Sequence, residues 1–157
     1  MKLMLQMLAL ILVATGLGAA VNAARPGRLP WRGDWDRHVE TRALQQHIRL
    51  AGLATVQRAV NTGAPVLLDA RPAADFRAGH LPRAQSLPFE LAPEMLAGMQ
   101  VPLARDQALL TYCARNDCDE GLELALLLRQ QGYTNVMLFP GGLHEWRAGG
   151  GAVEGGL

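Results

Sequence analysis

Cys113 stands at the end of a short apolar run and opens the stretch of the chain best suited to chemistry. Ala108 to Thr111, then Tyr112, have strand composition and deliver the thiol to the strand's C-terminal end. The next six residues, Ala114, Arg115, Asn116, Asp117, Cys118 and Asp119, are too polar and turn-prone to extend a strand. Leu122, Leu124, Ala125, Leu127 and Leu128 then recur at helical spacing through Arg129. The stretch therefore reads as strand, tight loop and helix, with a thiol as the first loop residue. A loop wrapped over a helix N-terminus turns several backbone N–H groups into one small bowl, where the helix dipole adds partial positive charge. A thiol facing such a bowl is biased toward thiolate, the nucleophilic form. The same bowl suits a terminal persulfide sulfur or an oxyanion. The plainer alternative is a small buried hydrophobe at a strand end, and the local sequence leaves both open.

The elements that must position this loop alternate along the chain. Thr41 to His47 is consistent with a short helix, and Ile48 to Leu50 with a brief first strand. A helix over Leu53 to Asn61, with Val56 and Val60 four apart, is ended by Thr62-Gly63-Ala64-Pro65. Val66-Leu67-Leu68-Asp69-Ala70 is a short apolar run of the kind that makes a buried parallel strand, and its end carries Asp69 and Arg71. Ala73 to Ala78 predicts a short helix ending at Gly79, after which His80-Leu81-Pro82 turns the chain. Ser86-Leu87-Pro88 is a third short strand, and Leu91 to Met99 a helix. Leu109 to Tyr112 makes the fourth strand, and Asp119 to Gln131 the helix after it, capped by Gly132. Asn135 to Phe139 is the fifth strand, and Pro140-Gly141-Gly142 leads into a short helix through Trp146. Strands alternating with helices predict a parallel sheet of about five strands with helices on both faces. Ligands in such sheets sit beyond the strand C-termini, which is where Cys113 falls.

Outside this region the chain changes character. Met1 to Ala23 reads as a targeting segment: Lys2 supplies a positive start, Leu3 to Val21 is almost continuously apolar, and Val21-Asn22-Ala23 fits a small-x-small cleavage site. The alternative is an uncleaved signal anchor, since the run approaches the roughly 20 residues that span a bilayer. Either reading puts the body of the protein outside the cytoplasm, in a periplasmic or otherwise exported setting, membrane-associated only if the leader stays. Residues 24–46 read as a linker and N-terminal extension, residues 47–150 as one domain, and residues 151–157 as a frayed, flexible tail. In the linker, Trp31 and Trp35 present aromatic surface for the domain or for a docking partner. Lys2 is the one lysine, and the remaining body is electrically neutral, with no basic stripe. Nucleic acid is therefore excluded as a partner. The four His and two Cys show no metal-ligand spacing, so neither a metal nor another cofactor is expected.

Taken together, Leu68-Asp69-Ala70-Arg71, Asp75-Phe76, Gly79-His80-Leu81-Pro82-Arg83-Ala84, Tyr112-Cys113 with its loop, Gly132-Tyr133, Asn135-Val136 and Gly141-Gly142-Leu143 to Trp146 resemble a single rhodanese domain. The resemblance spans about Ile48 to Gly149. It implies a rhodanese-like α/β fold and a sulfurtransferase whose nucleophile is Cys113. In that reading Cys113 takes sulfur from a small donor, thiosulfate or a persulfide, carries it as a persulfide, and passes it to a thiol, to cyanide or to a protein acceptor. Backbone N–H groups from Ala114 to Asp119 would bind the donor and stabilise the persulfide, with Arg115 as the one permanently cationic loop side chain. Asp69, Arg71 and His80 are expected as structural support. Related phosphatases use a loop one residue longer that ends in an Arg. Here Asp119 stands at the sixth place after Cys113, so a phosphate dianion is disfavoured.

Two features depart from the family pattern. Asp117, Asp119 and Glu120 make the loop more acidic than a thiosulfate site wants. Cys118 lies five residues after Cys113, and in an exported protein a loop that curls back would let the two sulfurs oxidise. Cys118 then either resolves the persulfide, switches the enzyme off, or is simply a small loop residue. Two further functions stay open: a catalytically weak rhodanese module used for binding, and a thiol redox sensor built on Cys113 and Cys118.

Overall fold

The computed structural model describes residues 2–25, 37–98 and 103–156; Trp31 and Trp35 lie outside the described residues. The chain divides into Met1–Asp34 and Trp35–Leu157. The first unit holds helix α1, Lys2–Ala24, which has no buried residue. It is long and apolar enough to cross a membrane.

The second unit is an α/β domain. Its elements are α2 (His38–Gln45), β1 (Arg49–Leu50), α3 (Leu53–Thr62), β2 (Val66–Asp69), α4 (Ala73–Ala78), β3 (Gln85–Ser86), α5 (Ala92–Ala97), β4 (Leu109–Tyr112), α6 (Glu120–Gln130), β5 (Val136–Phe139) and α7 (Gly142–Ala148). A 3-10 turn, Phe89–Leu91, leads into α5. The five strands form one parallel sheet in the order β1-β5-β4-β2-β3. β4 lies in the middle, so its C-terminal end opens at the centre of the sheet's edge.

Side-chain alternation along the strands feeds two cores. Leu68, Leu109 and Leu138 point to one face, where they meet Val39 and Ala43 of α2, Ala92 of α5, and Leu122, Leu124, Ala125 and Leu128 of α6. Leu67, Leu110, Tyr112 and Phe139 point to the other, against Val56 and Ala59 of α3 and Leu143 and Trp146 of α7. A two-residue period sampled by helices on both sides is what fixes the register of a parallel sheet.

Two expectations are corrected. The first helix of the domain was expected to start at Thr41, yet α2 begins at His38, because Val39 and Ala43, four apart, seat its apolar stripe in the core. His47 then ends it in the left-handed conformation (φ 57°), and Ile48 N–H returns to Ala43 O at 2.8 Å. The C-terminal tail is not frayed. His80 and Glu154 exchange backbone hydrogen bonds at 2.8 and 3.0 Å, and Gly156 N–H reaches Arg77 O at 2.9 Å. Trp146 Nε1–H donates to Ala152 O at 2.7 Å. Gly151 is there for close approach, since a Cβ on it would run into the Trp146 indole. Removal of residues 152–157 is therefore expected to destabilise the domain by about 1–3 kcal/mol, through the lost bonds and the orphaned indole N–H, read as a lower denaturant midpoint at unchanged slope. A flexible tail would leave the midpoint where it was.

Candidate active site

The sheet delivers Cys113 to its position, and α6 is drawn up tight behind it. Thr111, fully buried, donates its hydroxyl to Gly121 O at 2.8 Å, tying the end of β4 to the first turn of α6. Gly121 itself allows the approach, since a Cβ there would lie 3.2 Å from both the Tyr112 carbonyl carbon and Leu138 Cδ1. Between these two anchors the loop folds on itself, with Cys118 N–H donating to Arg115 O at 3.1 Å. That N–H is thus committed inside the loop rather than pointing into the bowl expected of it.

The first turn of α7 closes the loop from the other side. Leu143 N–H donates to Cys113 O at 3.0 Å and His144 N–H to Ala114 O at 2.8 Å. Gly142 sits between them at φ 56°, and a Cβ there would overlap Cys113 O and come within 2.9 Å of the Ala114 carbonyl carbon. Cys113 is left 3 % exposed.

Cys113 and Cys118 are joined as a disulfide, with Cα atoms 6.1 Å apart. Glu120, the first residue of α6, brings Oε2 to 2.7 Å from Cys118 Sγ and 3.4 Å from Cys113 Sγ. In the dithiol state these three side chains would also offer a compact set of two sulfurs and one oxygen to a soft cation. In the disulfide neither sulfur is a thiolate.

The loop's charges are largely paired. Arg115 Nε donates to Asp117 Oδ1 at 2.6 Å on the exposed rim. Arg42 of α2 reaches Asp119 at 2.9 Å and Glu123 at 2.6 Å. The hydrogen bond that Arg42 donates to Glu123 does most to raise the Arg42 pKa, partial burial opposes it, and the charge of Asp119 adds to the rise. Asn116 lies on the same rim, half-buried. Beside Glu120 opens a shallow cleft of ≈ 220 Å³, counting its mouth, walled by Ala70, Pro72, Pro88 and Phe89, with Glu90 as its second carboxylate.

Asp69, Arg71 and His80 lie in the neighbouring layer. Arg71 forks onto Asp69 at 2.9 and 2.6 Å and reaches Gly79 O at 2.8 Å, with both side chains buried. Burial works to lower the Arg71 pKa, but the bonds and charge of Asp69 outweigh it and the net direction is up. The His80 ring stacks on Phe76 at a centroid distance of 3.7 Å, with Nδ1 2.8 Å from Phe76 O. These contacts hold the turn after α4. Tyr112 joins that turn to β4, its hydroxyl accepting from Leu81 N–H at 3.2 Å.

Comparisons with known proteins agree with this geometry on the family. The family profile described as a rhodanese-like domain matches residues 53–149, more than half of the chain. The chain belongs to the rhodanese-like domain family. It is similar to the thiosulfate:glutathione sulfurtransferase of Saccharomyces cerevisiae, 27% identical over 96 residues that cover 55% of this chain and 67% of the yeast protein. The rhodanese-like domain of an Anabaena sp. protein superposes with a TM-score of 0.56 at 27% identity, covering 68% of this chain and 78% of that one. Thiosulfate sulfurtransferase from Pseudomonas aeruginosa shares the fold at a TM-score of 0.61 and 21% identity, covering 78% of this chain but 23% of that one.

Sequence reading had not singled out four contributors. Glu120 was noted for its charge alone, yet the helix start aims it at both sulfurs. Arg42 comes from the extension, where no motif marks it. Thr111 and Gly121, a polar residue in an apolar strand and a glycine in a helix, are each a local mismatch that could have flagged close packing.

These contacts carry two measurable consequences. Gly142→Ala is expected to cost about 1–3 kcal/mol, from the strained φ and the displaced loop carbonyls, measured by chemical denaturation; a parent-like midpoint would refute the clamp. Burial raises the Tyr112 phenol well above its ordinary range, with the charge of Asp69 adding to it and Leu81 N–H and Arg71 opposing. Since the unfolded tyrosine ionises first, stability is retained below about pH 10 and lost above it, by up to about 1.4 kcal/mol per pH unit for this proton. Unfolding titrations from pH 8 to 11 should show a shallower alkaline fall for Tyr112→Phe than for the parent.

Proposed function

We propose that this protein is an exported sulfurtransferase in which the reduced Cys113 moves sulfane sulfur from a small donor to a thiophilic acceptor. The single observation that carries the reading is the place of Cys113: first residue of the short loop between β4 and α6, in a domain that belongs to the rhodanese-like family. The activity for which the yeast relative is named, thiosulfate:glutathione sulfur transfer, supports the same reaction class.

With thiosulfate as donor, the Cys113 thiolate attacks the outer sulfur. The new Cys113 Sγ–S bond forms as the S–S bond of thiosulfate breaks, and sulfite leaves with the electron pair. An acceptor thiolate or cyanide then attacks that outer sulfur and frees the Cys113 thiolate. Loop N–H groups of Ala114, Arg115, Asn116, Asp117 and Asp119 form the cradle for the transferred sulfur, and helix α6 contributes the positive end of its dipole. Because Arg115 and Arg42 are each held by loop or helix carboxylates, the site has little charge to offer a dianion.

Export is supported by α1, whose length and hydropathy fit a signal sequence or an anchor, and by the disulfide, a bond that persists in oxidising compartments. The same disulfide favours a second reading, a thiol redox protein, which the direct assay separates. After reduction and removal of the reductant, incubation with thiosulfate is expected to release sulfite, and thiocyanate is expected to form when cyanide is supplied. Cys113→Ala should reduce thiocyanate formation by at least about a thousandfold. Undiminished transfer by Cys113→Ala would overturn the proposal.

A further inference from the structure

The disulfide joins the sulfur that would carry the persulfide to a second sulfur on the same loop, and a carboxylate touches both. We infer that Cys118 is an internal acceptor: it attacks the Cys113 persulfide and expels the carried sulfur as hydrogen sulfide, leaving the Cys113–Cys118 disulfide. This rests on the sulfurtransferase reading above and adds to it a product and a fate for the nucleophile.

The geometry supports the attack at the inner sulfur. With the Cα atoms 6.1 Å apart the loop brings Cys118 Sγ to bonding reach of Cys113 Sγ, and that contact is the bond the attack would make. Cys118 is held in place by its own N–H bond to Arg115 O at 3.1 Å, so the loop is already curled for it. Glu120 Oε2, 2.7 Å from Cys118 Sγ and 3.4 Å from Cys113 Sγ, lies where a proton must move. It accepts the thiol proton from Cys118 and returns it to the sulfur that departs from Cys113.

The step balances. Cys118 Sγ bonds to Cys113 Sγ, the bond between Cys113 Sγ and the outer sulfur breaks, and the outer sulfur leaves with the electron pair as hydrosulfide. Cys118 is oxidised and the departing sulfur reduced. The hydrosulfide gains the proton that Cys118 lost. Return to the dithiol takes two electrons and two protons from an external dithiol, which leaves as its own disulfide. In net terms, sulfane sulfur is reduced to sulfide by a dithiol, a reaction distinct from transfer to cyanide. The charge around the loop agrees with it: Glu120 beside the sulfurs opposes long storage of an anionic persulfide, whereas expulsion of protonated sulfide carries that charge away.

The test uses fully reduced protein, freed of reductant under argon and mixed with thiosulfate, with sulfite, sulfide and intact mass followed together. The parent is expected to release sulfite and about one equivalent of sulfide, end about 2 Da lighter than the dithiol, and stop until dithiothreitol is added. Cys118→Ser is expected to release sulfite, hold the sulfur as an adduct about 32 Da heavier, and form at least about tenfold less sulfide. Glu120→Gln should slow sulfide formation about tenfold near neutral pH and flatten its pH profile; an unaltered profile removes the proton-carrier role. Sulfite without sulfide from the parent, or equal sulfide from Cys118→Ser, overturns the inference and leaves the sulfurtransferase reading standing. No sulfite from either protein overturns that reading and the inference with it.

Discussion

The loop after β4 can only keep its shape while two helix starts press on it from opposite sides. α6 approaches through Gly121, close enough for Thr111 to hydrogen-bond its first turn at 2.8 Å, and α7 approaches through Gly142, close enough for two of its N–H groups to reach Cys113 O and Ala114 O at 3.0 and 2.8 Å. Both approaches depend on a missing Cβ, and each fixes backbone rather than side chain. The consequence is that carbonyls of Cys113 and Ala114 face α7, while the Cys118 N–H is spent on Arg115 O within the loop. A loop braced in this way has its backbone course set by the two helices that flank it.

A second layer keeps those braces where they are. Asp69 and Arg71 form a buried, bidentate pair with Gly79 O as a third partner, and Tyr112 accepts from Leu81 N–H at 3.2 Å. These bonds bind the turn after α4 to the ends of β2 and β4. The desolvation of a buried pair of this kind offsets much of its attraction, while removing one partner would leave an uncompensated charge inside. The C-terminal residues extend the same layer: Glu154 pairs with His80 across a two-residue antiparallel bridge, and Ala152 O accepts from the Trp146 indole. The loop is thus held by segments far apart in sequence.

That remoteness explains which parts of the structure could be read in advance. The buried strands β2, β4 and β5 and helices α3 and α6 were legible because apolar runs and helical spacing repeat within a few residues, and the place of Cys113 came with them. The helix after β4 even begins within one residue of its expected start. Arg42, by contrast, acts on Asp119 and Glu123 from another helix, and nothing in its own neighbourhood says so. The tail was misread because glycine is an ambiguous signal: Gly-Gly-Gly describes a frayed end as readily as a chain packed against an indole. The early start of α2 was hidden by polar neighbours, since two residues, Val39 and Ala43, carry its buried stripe.

The acidity of the loop, which sequence reading treated as a departure from the family, acquires a sense from the pairing pattern. Asp117 is answered by Arg115, and Asp119 by Arg42, each at salt-bridge distance. Those acids hold the rim and the extension to the loop, and they favour the helix start by its dipole. Glu120 is different, because its carboxylate meets the two sulfurs themselves. Geometry therefore separates two placements that composition alone merges: acids paired with arginines at the rim, and one acid set against the two sulfurs.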